Sequence, residues 1–315
     1  MTEIFFVTLS QITFLVCLIA IGFILVRVGI VKDEAADVLA KLETYLFCPA
    51  VVMQSAMQNF TVEKLKSAGI LFILGFVITM AIIPFAIVLA RVFTKDAYLQ
   101  NIYKYAFTFG NFGYMGNAVV LALFPEYFFE YVMFTLPLYV HIFAWIIPSW
   151  LLADADAKPS VKERIKNIVN PMFVALIIGI IIGIAKISVP MWLDSVVSAS
   201  ANCMSPIAML LTGIAVAGTN LKSTFKNVSV YTVSFIRLIV IPLVFIGVLY
   251  ILNPSKVIVI CAMVAFSMPL GLNTIIFPRA HGRDTSVATG LTVVSHLLSC
   301  VTIPIIFAIV NRILL

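Results

Sequence analysis

The sequence predicts an all-α membrane protein with ten transmembrane helices, arranged as two inverted five-helix repeats in which helices 4 and 9 are broken. Three observations lead to this prediction: an apolar composition, ten long apolar segments, and landmarks that recur at one offset. Of the 315 residues, 63% are hydrophobic and 11% are charged, and the mean hydropathy is +1.14. A soluble domain this apolar cannot cover its surface with polar groups, so we expect the lipid bilayer to surround the chain.

Each transmembrane helix needs roughly 20 apolar residues, and the chain contains ten segments that meet this need. They are Ile4–Val26, Ala36–Gln58, Ala68–Phe93, Tyr98–Leu123, Phe128–Leu152, Ile168–Ile187, Trp192–Gly218, Val228–Leu252, Ser255–Pro278 and Thr285–Val310. The longest polar stretch, 153–167, separates the fifth segment from the sixth. We therefore expect a first repeat at 1–152, a linker at 153–167 and a second repeat at 168–315.

Lysine and arginine are distributed unevenly between the two sides of the membrane that these segments define. One side carries 14 of the 20, namely Arg27, Lys32, Lys41, Arg91, Lys95, Lys104, Lys158, Lys162, Arg164, Lys166, Lys222, Lys226, Arg279 and Arg283. The richer side is expected to be cytoplasmic. This predicts a multi-pass protein of the plasma or inner membrane with a cytoplasmic linker and both termini outside. The basic residues thus determine topology, and no nucleic-acid partner is expected.

Landmarks of the first half recur in the second half at an offset of 156 to 158 residues. The pairs are Leu18-Ile19 with Leu176-Ile177, Cys48-Pro49-Ala50 with Ser205-Pro206-Ile207, Ile83-Pro84 with Ile241-Pro242, Gly113 with Gly271, and Pro148 with Pro304. Because five is an odd number of helices, the second copy enters the membrane upside down. Inverted repeats of this kind are common among transporters, which place their site near the midplane at broken helices.

The fourth and ninth segments contain the sequences that are least compatible with a continuous helix. Residues 110–117 read GNFGYMGN, with three glycines and two asparagines, and residues 267–274 read SMPLGLNT, in which Pro269 breaks the helix. Unwound backbone in a membrane must face protein or a wet cavity. Two half-helices that begin at the breaks would direct free N–H groups and positive dipole ends at one point, where they favour an anion.

The candidate substrate-binding residues follow from these two stretches. They are Asn111, Gly113, Gly116, Asn117, Ser267, Pro269, Gly271 and Asn273. The asparagine amides can donate hydrogen bonds to a carboxylate, and glycine and proline permit the breaks. A structural interpretation stays open, in which glycine allows close helix packing and asparagine links helices. The paired placement of the two stretches favours the site.

Three intramembrane ionisable residues have two interpretations each. Arg237 either supplies a charge for the substrate or for gating, or extends to the cytoplasmic boundary. His141 and His296 either carry a proton or serve as neutral hydrogen-bonding core residues. No metal site, cofactor or enzyme motif is predicted; the coupling ion, if one is used, is Na⁺ or H⁺ and is not determined by the sequence.

The motifs together resemble the auxin efflux carrier family, which includes bacterial malate and malonate permeases and the plant PIN carriers. The similarity extends over the whole chain. It is carried by residues 22–35, Leu46-Phe47-Cys48-Pro49-Ala50, the 110–117 stretch, residues 237–242, residues 268–273 and Thr302-Ile303-Pro304. One departure is Asn117-Ala118, which stands where members often have a proline.

The resemblance implies that helices 4 and 9 cross near the midplane. It further implies a scaffold of helices 1, 2, 6 and 7 that forms a homodimer, and a six-helix transport domain that moves like an elevator. The expected substrate is a small organic anion, a mono- or dicarboxylate such as malate, malonate or an auxin-like acid. Two alternatives stay open: a sodium- or proton-coupled symporter or antiporter of the bile-acid-symporter class, and a non-transporting membrane receptor.

Overall fold

A computed structural model describes residues 2–142, 151, 171–218, 225–280 and 282–315. This part of the chain is almost entirely helical, and its β-type pairing is one isolated bridge between Gly110 and Leu270. The predicted linker, 153–167, and the end of the fifth apolar segment lie outside the described residues.

The first half begins with a long helix and ends with shorter ones. Its helices are α1 (Thr2–Arg27), α2 (Ala35–Leu42), α3 (Cys48–Asn59), α4 (Leu65–Phe93), α5 (Ala97–Thr108), α6 (Asn117–Leu123) and α7 (Phe128–His141). The turn Glu43–Phe47 joins α2 to α3 with π-helical geometry, and a second π-helical turn, Phe112–Gly116, leads into α6. A short 3₁₀ turn, Pro125–Tyr127, precedes α7.

The second half follows a related order. Its helices are α8 (Pro171–Ala185), α9 (Met191–Ala217), α10 (Val228–Phe235), α11 (Ile241–Leu252), α12 (Lys256–Ser267), α13 (Asn273–Ala280) and α14 (Ser286–Ile313). The π-helical turn Ile236–Val240 joins α10 to α11 without a break. Every apolar segment marked in the sequence contains helix in its described residues.

Five helices in the described residues are long and apolar enough to cross a bilayer. They are Ile4–Arg27, Lys66–Phe93, Met191–Ala217, Val228–Leu252 and Ser286–Ile313. Large apolar side chains project outward from two of them: Phe85 and Val92 on α4 are each 76% exposed, and Ile251 on α11 is 81% exposed. Water would make such surfaces costly, whereas hydrocarbon accommodates them. The five long apolar helices and their exposed apolar side chains thus support the expectation of a multi-pass membrane protein.

Two of the π-helical turns end two residues before a proline. Glu43–Phe47 precedes Pro49, and Ile236–Val240 precedes Pro242. Proline lacks an N–H, and its ring presses on the carbonyl four residues earlier. The backbone hydrogen bonds of the preceding turn therefore join residues five apart instead of four apart. Each turn contains one fully buried ionisable side chain, Glu43 in the first and Arg237 in the second.

Glycines bring two pairs of helices into backbone contact. A Cβ atom at Gly22 of α1 would collide with the carbonyl of Leu210 on α9, and one at Gly213 of α9 would collide with the carbonyl of Ile19 on α1. Gly179 and Gly183 of α8 make the same kind of approach to the backbone of α3. Small residues allow such close approach in membranes, where van der Waals packing stabilises helix pairs. Helices of the first half are thereby held against helices of the second.

This packing predicts that Gly213→Ala destabilises the protein by about 1–3 kcal/mol, because the added methyl group meets backbone that cannot rotate away. Thermal unfolding of the purified protein in detergent would measure the change. Gly247→Ala is the matched control, since Gly247 is helical and has open space around its Cβ position. The control should be neutral or slightly stabilising. Equal melting temperatures for the two variants would contradict the packing argument.

Candidate functional site at two facing helix interruptions

The structure interrupts the helices at both stretches that the sequence predicts, and the two interruptions touch. Helix α5 ends at Thr108 and helical geometry resumes at Phe112, while α12 ends at Ser267 and α13 begins at Asn273. The Asn111 N–H donates to the Pro269 carbonyl at 2.6 Å. The Leu270 N–H donates to Ser295 Oγ on α14 at 3.1 Å. Buried unwound backbone therefore finds hydrogen-bond partners inside the protein, as a membrane requires.

Glycine and proline explain why the two chains approach so closely. A Cβ atom at Gly110 would collide with the Arg237 guanidinium and the Met268 carbonyl, and one at Gly271 would press on the Gly110 carbonyl oxygen. Pro269 has no N–H to leave unpaired in the interruption, and its carbonyl is free to accept from Asn111. The sequence composition of the two stretches thus determines both the breaks and their contact.

A small cavity opens beside the contact. Its volume is about 60 Å³, measured as the space open to the centres of water molecules. Four of the predicted site residues line it: Asn111, Gly113, Gly271 and Asn273. Phe112 to Tyr114, which begin the helical segment after the first interruption, line it as well, as does Leu272, which directly precedes α13. N–H groups in a first helical turn have no partner within their own helix, so both N-termini present donors to one cavity.

The two cavity asparagines are held by other side chains. The Asn273 amide donates to the Tyr105 hydroxyl at 3.0 Å. The Asn111 side chain caps the following turn by accepting from the Met115 N–H at 3.4 Å, and its amide nitrogen lies 3.4 Å from Nε2 of His296. Each amide carries two hydrogens, so one hydrogen of each remains for a ligand.

Two hydrogen bonds fix the orientation of the His296 ring. Its Nδ1 lies 2.7 Å from the Thr292 carbonyl oxygen, which only accepts, so Nδ1 carries the hydrogen. Nε2 is then the acceptor for the Asn111 amide, and the ring is neutral in this arrangement. The buried His296 ring thus holds the Asn111 side-chain amide in its orientation.

Arg237 contacts the second interruption and lies beside Gly110 of the first. Its Nε donates to the Met268 carbonyl at 3.1 Å, and its terminal nitrogens have no hydrogen-bond partner in the described residues. The side chain is 1% exposed. The interpretation in which Arg237 extends to the aqueous boundary therefore does not fit the structure. Its positive charge lies next to Gly110, which lines the cavity.

The remaining predicted residues surround the cavity without lining it. Gly116 contacts the Tyr131 side chain, buried Asn117 begins α6, buried Ser267 ends α12, and Pro269 accepts from Asn111. His141 is also apart from the cavity: its Nδ1 bonds the Pro137 carbonyl at 2.7 Å and its ring packs on Phe76. The two histidines therefore occupy different surroundings.

Sequence reasoning missed several residues that complete the cavity wall. Tyr105, Tyr114 and Tyr139 line it, as do Thr44 and Cys48 from the π-helical turn and start of α3. The tyrosines carry no sequence signal, since aromatic residues are common in apolar segments. Glu43, whose side chain contacts Cys48, carries a signal that was overlooked: an acid within an apolar segment is by default a functional candidate.

Long helices with apolar outer surfaces, interrupted around an internal cavity, define a multi-pass α-helical membrane protein. The chain belongs to the membrane transport protein family, whose sequence profile matches residues 7–164 and 157–307. This is the family of auxin efflux carriers and PIN-like proteins that the sequence motifs resemble. Its members are membrane transporters and not enzymes. Comparison with curated proteins gives no match.

Ser295 should be essential to the second interruption. Ser295→Ala removes the acceptor of the buried Leu270 N–H, which we expect to cost about 1–3 kcal/mol of stability. Ser299→Ala is the matched control, because Ser299 Oγ, also buried on α14, only donates to a helical carbonyl. Thermal unfolding and amide exchange at Leu270 would measure the effect. If both variants unfold at the same temperature and Leu270 keeps its protection, Ser295 does not hold the interruption.

Proposed function

We propose that the protein is a secondary carrier for small organic anions, mono- or dicarboxylates, that works by alternating access. The observation that carries the proposal is the pair of helix N-termini, one after each interruption, that open onto one cavity. In the described residues, no aspartate or glutamate lines that cavity. Helix N-termini bind anions because their N–H groups and dipole ends are positive.

Donors of three kinds would meet a carboxylate in the cavity. The backbone supplies first-turn N–H groups, Asn111 and Asn273 each supply one uncommitted amide hydrogen, and Tyr105 supplies a hydroxyl. Because the Tyr105 oxygen accepts from Asn273, its own hydrogen is free to point at a ligand. Hydrogen bonds to a charged acceptor contribute about 1.5–3 kcal/mol each, so a few of them give selectivity for anions over neutral molecules.

A buried positive charge strengthens this preference. The described residues place no acid within ion-pair distance of Arg237, so its charge is not cancelled locally. In a medium of low effective dielectric constant, an unpaired charge acts over several ångströms more strongly than in water. The guanidinium therefore makes the neighbouring cavity electropositive without touching the ligand.

The size of the cavity favours a short substrate. A single water molecule needs roughly 10–15 Å³ of such space, so about 60 Å³ accommodates a few water molecules or a compact carboxylate. A bulky amphipathic acid would require the cavity to open. This favours the malate and malonate class over auxin-like or bile-acid-like substrates.

The contacts between the halves support ten spans arranged as an inverted repeat. Helix α1 packs through Gly22 against α9, and α8 packs through Gly179 against α3. Gly22 and Gly179 are separated by the same offset as the other landmarks. The first predicted span (α1) thus packs on the seventh (α9), and the sixth (α8) packs on the second (α3). A twofold axis in the membrane plane, which relates the first span to the sixth and the second to the seventh, produces this exchange of partners.

An ion pair connects the proposed scaffold with the proposed moving domain. Arg279 at the end of α13 donates to Asp33, which follows α1, at 2.7 Å. In an elevator mechanism α13 moves with the substrate while the α1 end stays in place. The pair is partly exposed, and such pairs contribute little to stability, so it can break and reform during each cycle.

Removing a ligand donor should weaken transport. Asn273→Ala and Asn111→Ala are each expected to lower the apparent affinity for malonate about tenfold or more, the value of one lost hydrogen bond to a charged group. Uptake of labelled malonate and malate into proteoliposomes would measure it. Asn59→Ala is the control, since among the described residues the Asn59 side chain bonds only the Ser55 carbonyl, and Asn59 does not line the cavity. Unchanged uptake by both cavity variants would contradict the assignment.

A cross-link between positions 33 and 279 tests whether α13 moves relative to the end of α1 during transport. In a double variant, Asp33→Cys with Arg279→Cys, a mercury ion or short bifunctional reagent should stop uptake, because α13 can no longer move past the α1 end. Thiol reagents should restore it. The Asp33→Cys single variant controls for the native cysteines. Full uptake by a cross-linked protein would contradict an elevator motion at this boundary.

A further inference from the structure

Glu43 is a buried acid for which the proposed function has no role. Its side chain is 0% exposed, and it is the only carboxylate among the described residues that is fully buried. Oε1 has no hydrogen-bond partner in the described residues, and Oε2 has only the Cys48 thiol at 3.7 Å. A buried polar atom without a partner is rare in native structures and calls for a functional explanation.

The electrostatic surroundings do not stabilise a negative charge at Glu43. In the described residues, no lysine, arginine or histidine forms an ion pair with it, and Lys41, two residues earlier, is exposed. The titratable groups near it are the Cys48 thiol and the phenols of Tyr114 and Tyr139. Of the helices that pack on this turn, α8 has no charged residue among its described residues, α9 has Asp194 in its distant first turn, and α2 has Asp37, which is exposed like Lys41. An isolated carboxylate in such surroundings is costly, whereas a neutral carboxylic acid is not.

The position of Glu43 connects it to the anion cavity. It begins the π-helical turn Glu43–Phe47, and the next residue, Thr44, lines the cavity together with Cys48. π-helical turns in membrane and soluble helices are frequently functional. A negative charge here would lie one residue behind the cavity wall and would oppose the field of Arg237 and the helix N-termini.

We propose that Glu43 is a proton-binding site coupled to the anion cavity, such that the cavity accepts a carboxylate only when Glu43 is protonated. This rests on the proposed anion transport. No atoms are exchanged besides the proton, which binds Glu43 from the aqueous side to which the cavity is open. A proton is favoured over a sodium ion because the one hydrogen-bond partner of the Glu43 carboxyl group in the described residues is a thiol, whereas hard cations require several oxygen ligands.

The linkage between proton binding and anion binding determines how strongly the anion affinity depends on pH. When one proton must bind with the anion, the dissociation constant rises about tenfold for each pH unit above the titration of the carboxyl group. Glu43→Gln, which keeps the shape of the protonated acid, should bind at every pH as tightly as the unmodified protein binds at acid pH. Glu34→Gln is the control, because Glu34 is exposed and precedes the same helix.

The experiment has two arms. Calorimetric titration of malonate at a series of pH values, in buffers of different ionisation enthalpy, measures affinity and proton uptake. Infrared difference spectra across the same pH series, without any ligand, detect the carbonyl stretch of a protonated carboxylic acid. We expect this band in the unmodified protein and in Glu34→Gln, and its loss in Glu43→Gln. Labelling glutamate with ¹³C shifts the band in the unmodified protein, so the assignment does not depend on how well a variant folds.

Each outcome decides one of the proposals. A pH-dependent affinity that becomes flat in Glu43→Gln, together with the lost band, supports the proton site. A band that is absent, or that persists in Glu43→Gln, overturns it whether or not malonate binds. An affinity that follows sodium concentration at fixed pH also overturns it. If the band behaves as expected but neither malonate nor malate binds at any pH, the anion-carrier proposal fails and the coupling to an anion fails with it, while Glu43 stands as a protonated acid.

Discussion

The site depends on one backbone hydrogen bond, from the Asn111 N–H to the Pro269 carbonyl at 2.6 Å. Two unwound segments inside a membrane are each unfavourable, because water is absent and their polar groups lack helical partners. Because the two segments lie against each other, a backbone N–H of one donates to a backbone carbonyl of the other. Ser295 accepts a hydrogen bond from a second backbone N–H, that of Leu270. The cavity, the N-terminal donors and the position of Arg237 all follow from this contact.

The two buried ionisable residues have a common structural origin. Glu43 and Arg237 each lie in a π-helical turn that a following proline imposes. The wider turn alters the direction of the side chain, so that each is turned into the protein and not toward lipid. One is basic and contacts the interruptions, whereas the other is acidic and precedes Thr44, which lines the cavity. The chain thus places a buried basic residue and a buried acidic residue near the same small cavity.

Helix positions and both interruptions could be predicted from sequence because their causes are local. Apolar length identifies membrane segments, and Pro269 with the glycines at 110, 113, 116 and 271 identifies breaks. Which site residues face the cavity could not be predicted: Asn117 lies only six residues after Asn111, yet its helix turns it away from the lining. The partners of Asn111 and Asn273, His296 and Tyr105, come from segments more than 160 residues distant. Glu43 could have been found, since an acid in an apolar segment is visible in the sequence.

The glycine contacts between α1 and α9 and between α3 and α8 have a consequence for biogenesis. A chain synthesised from its N-terminus inserts α1 and α3 well before the helices that fit their close-packing faces exist. Those faces must remain against lipid or a chaperone until the second half emerges, and only then can the backbones meet. The first half is therefore an incomplete folding unit, and assembly of the bundle awaits synthesis of residue 213 and beyond.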